Sequence, residues 1–168
     1  EGETFPVVFL CPYKKERMVT GMAIKTLNGL KKKIEACVNK ALREEVTDAI
    51  RKEEQEQIHE NVYSEYTPQV YERRYFAGGL IADENIVGAV KAGQLTVVNV
   101  TPPNPNARDG ATTDKNLVSV IETGVGYDYS PHPGARPFIQ PTIDSLRASN
   151  KVEESLKQGL RKQGLTVK

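Results

Sequence analysis

Aromatic, cationic and proline residues are concentrated in one stretch of the chain, GYDYSPHPGARPFIQPTIDSL at residues 126–146. Four of the chain's ten prolines lie here, together with His132, Arg136 and Phe138. Residues of these types are used in catalytic pockets and metal sites, in proline-rich ligands for other domains, and in rigid segments that direct a helix toward a partner. The rest of the sequence is needed to choose between these chemistries.

Catalysis and metal binding are not favoured by the positions of the two histidines. His59 and His132 stand in different contexts, without HxxxH, HxH or HExxH spacing. His59 lies among glutamates that could hold a cation, but a run of alternating charge usually forms a solvated helix face, and we expect one here. The chain also has no GxSxG, GxxxxGK[ST] or GxGxxG motif. We therefore expect no catalytic residue, no metal site and no cofactor.

The segment VYERRYF at residues 70–76 combines arginine with tyrosine, and its residues alternate well enough to predict a strand. Arg73 and Arg74 would then face opposite sides of the strand, between Tyr71 and Tyr75. Arginine with tyrosine is enriched at protein interfaces and on platforms for single-stranded nucleic acid, and an arginine stacked on a ring within one subunit explains the pattern equally well. The formal net charge of +1 disfavours nucleic acid. A small single-stranded nucleic-acid-binding module remains the alternative hypothesis.

Prolines restrict the backbone on either side of Phe138. Pro141 suits the first turn of a helix that Ile143 and Leu146 would continue, so we expect Phe138 to be anchored in the core. Arg136 is then expected to hold this segment by binding a carboxylate or a carbonyl, within the subunit or on a neighbour. On this hypothesis, Arg136→Ala weakens assembly more than folding.

Length and composition indicate one domain with a modest core. The chain has 168 residues, and its hydrophobic fraction of 38% is below the roughly 45–50% of globular proteins. Its longest apolar run, at residues 5–11, is far shorter than the ~20 residues that cross a bilayer, so no membrane segment is predicted. Two cysteines without a CxxC pair are typical of a reducing compartment, and Cys37 is expected in the core.

Apolar residues recur every three or four positions from Leu27 and predict a long helix of about 30 residues, or ~45 Å. We expect the polar end of this helix, RKEEQEQ at residues 51–57, to be solvated or to contact another subunit. Residues 1–26 are predicted to form an extended arm that pairs at a sheet edge or docks on a neighbour. Two β-branched runs within residues 86–100 predict a hairpin, and residues 101–114 predict an exposed loop.

The C-terminal half is expected to contain a short helix that ends at Gly124 and an amphipathic run interrupted at Asn150. We therefore predict an α+β fold, with residues 27–168 forming one domain. An antiparallel sheet of about three or four strands is flanked by a long N-terminal helix and a C-terminal helix. Helices on one face leave the other face and the edges of the sheet open, and a ring of identical subunits would cover them.

Two blocks of sequence, in this order, resemble a family of tailed-bacteriophage neck proteins. These are the tail completion proteins encoded between the head-closure protein and the tail terminator. The first block, residues 62–86, contains a VYxxYxPxxYxRR segment followed by GGL. The second, residues 122–146, contains the ARPF box and leads into a helix with the pattern L-x3-L-x3-G. The resemblance extends over about residues 27–164.

The resemblance implies a small α+β subunit, with no enzyme activity, that assembles into a ring, usually a hexamer. The ring would lie in the virion neck after assembly in the host cytoplasm, and DNA would cross its channel without specific binding. The implied partners are the head-closure or connector protein and the tail terminator or tail tube protein. Residues 1–26 and 101–114 depart from the family pattern, and we expect them to recognise partners of this protein's own. The candidate contacts with subunits or partners are Arg73, Arg74, Tyr71, Tyr75, Arg136 and Phe138.

Overall fold

The computed structural model describes residues 26–68, 72–103, 116–127 and 131–167, together with the backbone of residues 7–9. These residues form an α+β fold, as predicted from the sequence. Tyr71 and most of the predicted loop at residues 101–114 lie outside the described part of the chain.

A long helix runs through residues 27–63 as two α-helical and two π-helical segments. Helix α1 (Leu27–Ala41) begins where the Thr26 side chain accepts a hydrogen bond from Gly29 N at 3.1 Å. A π-helical turn (Leu42–Val46) joins it to α2 (Thr47–Ile58), and a second one (His59–Tyr63) ends the run. In a π turn each backbone carbonyl is bonded to the N–H five residues later in the chain, and Leu42 O here also accepts a hydrogen bond from Thr47 Oγ1 at 2.9 Å. The predicted long helix is confirmed.

The sheet is built around the predicted hairpin of strands β2 (Ile86–Lys91) and β3 (Gln94–Asn99). Ala92 and Gly93 join them with φ values of 52° and 79°, as a tight two-residue turn requires. Strand β1 (Val7–Phe9) pairs antiparallel with β3, which places part of the N-terminal arm at the sheet edge. The strand order is β1-β3-β2.

In the described part of the chain, a 3-10 turn (Asp83–Asn85) precedes β2, and three further α-helices complete the fold. The ends of these α-helices follow the sequence signals. Helix α3 (Leu117–Thr123) is capped by Asn116 and stops at Gly124, whose φ of 68° is left-handed. Helices α4 (Ile139–Ala148) and α5 (Lys151–Lys162) are separated by the predicted break near Asn150. Phe138, fully buried, precedes α4 as expected.

The apolar core has three parts arranged along the long helix. The middle part lies between the helix, the hairpin and α4 and contains Leu42, Val46, Ile50, Ile86, Leu95, Val97 and Leu146. The part at the C-terminal end of the helix contains Ile58, Val62, Leu80, Ile81, Val118, Ile121 and Phe138. The part at its N-terminal end, under α5, contains Cys37, Ala41, Leu160 and Leu165. No helix within the described ranges has the length and apolar character needed to cross a bilayer.

Two local predictions were wrong. Residues 72–76 form no strand: residues 72–74 are irregular and a turn follows, because their arginines bind backbone carbonyls elsewhere in the fold. The charged end of the long helix is also not a fully solvated face, since Glu53 and Glu54 are each only 3% exposed. Elements that follow later in the chain cover these two glutamates.

The close approach of α5 to α1 gives a testable prediction. A Cβ atom on Gly159 would lie 2.7 Å from Ala41 Cβ and 3.0 Å from Ala41 Cα, so the helices must separate to accept one. We expect Gly159→Ala to lower the free energy of unfolding by roughly 1–3 kcal/mol, although alanine favours the helix itself. Chemical denaturation measures this. Gln158→Ala, on the exposed neighbouring position, is the control and should leave stability unchanged or slightly higher. A Gly159→Ala variant as stable as this control would contradict the close packing.

Candidate functional site

Two arginines bind the C-terminal end of the long helix. The last carbonyls of a helix have no partner within it and carry the negative end of the helix dipole. Arg73 Nη1 donates to Tyr63 O at 2.9 Å, and Arg136 Nη1 donates to Val62 O at 3.3 Å. The two blocks of sequence that resemble phage neck proteins therefore meet at this helix end.

Aromatic rings surround the Arg73 guanidinium. Its carbon lies 4.8 Å from the centre of the Tyr63 ring, in cation–π contact. The Tyr63 ring also meets Tyr75 edge-on, with the ring centres 5.1 Å apart. Arg74 points away from this cluster and donates to Pro102 O at 2.6 Å. Both guanidinium groups are thus bound within the subunit.

A tight turn at residues 75–79, which we call the aromatic turn, follows these arginines. Tyr75 has a φ of 46°, which is unusual for a residue with a side chain. Gly79 N donates to Tyr75 O at 2.9 Å, and a Cβ on Gly79 would lie 2.3 Å from that oxygen. Only glycine therefore fits at position 79. The turn leaves Tyr75 45% and Phe76 70% exposed.

Arg136 and Phe138 lie inside the subunit. The Arg136 side chain is buried, donates to the Tyr127 hydroxyl, and lies 5.3 Å from the centre of the Tyr66 ring. Phe138 N and Ile139 N donate to one carboxylate oxygen of Glu122, at 2.7 and 2.9 Å. This carboxylate caps the start of α4, where a negative charge also suits the helix dipole.

The remaining candidates from the sequence are the two histidines and Cys37, and the His59 ring meets Tyr63 edge-on with the ring centres 6.4 Å apart. His59 and His132 are both exposed, and the His132 ring stacks on Tyr127 with the centres 5.2 Å apart. Cys37 is buried in the core, as predicted. Within the described ranges, no group of three His, Cys, Asp or Glu residues is arranged to hold a metal ion. Of the six predicted contact residues, Arg73, Tyr75 and Arg136 meet around the helix end.

Sequence reasoning missed the buried carboxyl group of Glu54. Its pKa is raised to about 7, because burial and the nearby charge of Glu122 raise it more than the hydrogen bond from Asn99 Nδ2, at 2.9 Å, lowers it. Asn99 also donates to Leu80 O at 3.0 Å and accepts a bond from Thr101 N at 3.1 Å. Glu54 and Asn99 thereby join the long helix to the hairpin and the segment after it.

Glu53, the neighbour of Glu54, is also buried, but it has a cationic partner in Lys151. Burial by itself would raise the pKa of this carboxyl, but hydrogen bonds from Lys151, Ser145 and Gln57 outweigh it and leave the pKa lowered. Lys151 also contacts Glu56 at 3.7 Å. Glu53 is therefore a charged group that attaches α4 and α5 to the long helix.

A signal for Glu54 was present in the sequence. Val46, Ile50, Ile58 and Val62 are spaced by four residues on one face of the helix, with position 54 in the middle of the series. All four apolar members are buried. A carboxylate in the middle of such a stripe must be buried with them.

The fold and the site define an α+β protein in which a long helix, held by arginines at its C-terminal end, supports an exposed aromatic turn. A family model matches residues 26–162, and the chain belongs to the YomN family. The family takes its name from a phage-derived protein, so the chain is a phage-associated protein, and the resemblance to phage proteins is confirmed at that level. No curated protein and no solved structure is significantly similar to the chain.

The buried carboxyl group predicts a pH dependence of stability. Because the pKa of Glu54 rises from 4.5 to about 7 on folding, the folded protein keeps a proton between these values that the unfolded chain has released. Stability therefore falls as pH rises through this range, by on the order of 3 kcal/mol at about 1.4 kcal/mol per pH unit. Glu54→Gln should remove this loss and stabilise the protein at pH 8.

Urea denaturation between pH 5 and pH 8 measures the effect. Glu60→Gln, an exposed position on the same helix, is the matched control and should keep the pH dependence of the wild type. If Glu54→Gln and the wild type lost the same stability between these pH values, the carboxyl group would already be ionised at pH 5.

Arg136 supports a prediction about stability. Removing its side chain leaves the buried Val62 O without this donor, which costs roughly 1–3 kcal/mol. The burial of Arg136 revises our expectation that assembly would suffer more than folding. Arg136→Ala should melt at a clearly lower temperature than the control variant Arg147→Ala, which changes an exposed arginine on α4. Equal melting temperatures of the two variants would show that the hydrogen bond from Arg136 to Val62 O does not contribute to stability.

Proposed function

We propose that this protein is a structural component of the phage virion neck, where it joins head to tail. Six copies form a ring around the DNA channel, between the head-closure or connector protein and the tail terminator or tail tube. The subunit assembles in the host cytoplasm and remains in the virion. It has no enzymatic role, and DNA crosses the channel without specific binding.

The observation that carries this proposal is the meeting of the two resembling blocks at one helix end. Arg73 from the first block and Arg136 from the second bind adjacent carbonyls, those of Tyr63 and Val62. The two blocks are therefore held together at one helix end, and the exposed aromatic turn lies beside it. Exposed aromatic side chains held on a rigid support are typical of protein interfaces.

The outer face of the hairpin supports assembly with other proteins. Val87 and Val100 are 39% and 48% exposed, and Val87 pairs across the hairpin with Val98 on the same face. Within the described residues, β2 has a strand partner on one side alone. A neighbouring subunit would protect this edge and cover the valines.

The geometry does not favour the single-stranded nucleic-acid module. That alternative needs Arg73 and Arg74 beside tyrosines on a strand, with their guanidinium groups facing phosphates. The two guanidinium groups instead bind the carbonyls of Tyr63 and Pro102, and residues 72–74 are not a strand. We therefore put forward the neck function alone.

Deletion of the gene from a phage that encodes it tests the proposal. We expect DNA-filled heads and complete tails that stay apart in electron micrographs, with joined virions restored when the protein is supplied in trans. Mass spectrometry of wild-type virions should detect a few copies of the protein per particle. Infectious, joined particles from the deletion phage would rule out a neck role. A protein that binds single-stranded DNA with a salt slope of about −0.7 per phosphate would favour the nucleic-acid module.

A further inference from the structure

Two exposed apolar patches lie at opposite ends of the long helix. The aromatic turn, with Phe76 70% exposed, packs against Tyr63 at the C-terminal end. At the other end, Leu27 is 82% exposed. The helix between them runs through residues 27–63, about 55 Å at 1.5 Å per residue. The two patches of one molecule are therefore too far apart to contact each other.

Among the described residues, the first turns of α1 extend past the hydrogen bond that joins this helix to the C-terminal segment. The last hydrogen bond from the C-terminal segment to this helix joins Gln163 Nε2 to Cys37 O at 3.0 Å. Toward the N-terminus from there, Leu30 and Ile34 are half-buried, and they share one helix face with Leu27. We call this face the Leu27 stripe. It is an apolar surface that the described part of the subunit leaves partly uncovered.

The charges around the two patches are of opposite sign. Beside the Leu27 stripe, residues 27–35 contain Lys31, Lys32 and Lys33 and one acidic residue, Glu35, which gives this stretch a formal charge of +2. All four of these side chains belong to exposed residues.

At the aromatic turn the exposed charges are carboxylates. Glu60, Glu65 and Glu72 are exposed, while Arg73 and Arg74 are half-buried and bound to carbonyls. Three carboxylates and two guanidinium groups give a formal charge of −1. An apolar patch with an acidic rim and an apolar stripe with a basic rim are complementary surfaces.

We propose that the aromatic turn of one copy binds the Leu27 stripe of a second copy. Phe76 is the apolar anchor, and the carboxylates on its rim face the lysines of the neighbour. Because the two surfaces differ, the contact is head-to-tail, and such contacts build closed rings or open filaments. The inference deepens the proposed ring by naming the contact between its subunits, and to that extent it rests on the proposed function.

The experiment uses two single variants, Phe76→Ser and Leu27→Ser. Both side chains are exposed, so both variants should keep the melting temperature of the wild type. Sedimentation velocity over a range of protein concentrations at low salt should show that the wild type associates. Each variant should associate at least about tenfold more weakly. Added salt should weaken the association of the wild type as well.

Mixing the two variants distinguishes a head-to-tail contact from a symmetric one. Phe76→Ser keeps its Leu27 stripe and Leu27→Ser keeps its aromatic turn, so an equimolar mixture should form dimers and nothing larger. The matched control is Val125→Ser, which removes an exposed apolar side chain in the segment after α3 and should associate like the wild type.

Three outcomes would overturn the proposal. The wild type could remain monomeric at its highest soluble concentration, the mixture could form no dimer, or Phe76→Ser could associate normally. Loss of single-stranded DNA binding in Phe76→Ser without any self-association would assign the turn to nucleic acid instead. Failure of this contact is distinguishable from failure of the neck function, which would appear as joined virions in the deletion phage.

Discussion

The carbonyls at the C-terminal end of the long helix must find donors, and the way they do so organises this end of the protein. A helix of this length ends with several unpaired carbonyls and a partial negative charge. Arg73 and Arg136 supply donors and positive charge from segments that follow much later in the chain. Fixing those two segments also fixes the turn after Arg74 and the entry into α4 at Phe138, so one end of a helix determines two otherwise irregular regions.

The same helix carries buried charge in its middle, and here the physical requirement is different. Glu53 keeps its charge because Lys151 is a close partner, whereas the described residues place no cation beside Glu54, and burial raises the pKa of that carboxyl to about 7. Asn99 bonds Glu54 to the hairpin, and Glu122 bonds to the start of α4. Polar contacts of this kind are satisfied in only one arrangement of the helices against the sheet, because each buried group needs its own partner. They specify the packing that the apolar core alone would leave adjustable.

These constraints leave the aromatic turn as the part of the site available to a partner. Tyr75 adopts a left-handed conformation that persists because Gly79 allows the close approach and the two arginines before the turn are bound to carbonyls. An aromatic side chain on a rigid turn loses little conformational freedom on binding, which favours affinity from a small contact. A phage-associated α+β subunit with such a turn is suited to assembly with other proteins, and this agrees with the proposed place in the neck.

Local signals in the sequence were sufficient to predict the long helix, the hairpin at Ala92 and Gly93, the end of a helix at Gly124 and the burial of Phe138. Each depends on residues within one or two turns of each other, so periodicity and backbone preference determine it. The conformation of residues 72–76 and the hydrogen bonding of Glu54 were not predictable in that way. They depend on partners far along the chain: Pro102 for Arg74, and Asn99 for Glu54. The sequence by itself determined the elements and the two arginine-bearing blocks. Only the tertiary structure decided that both blocks bind one helix end, because the Arg136–Val62 contact joins residues 74 positions apart.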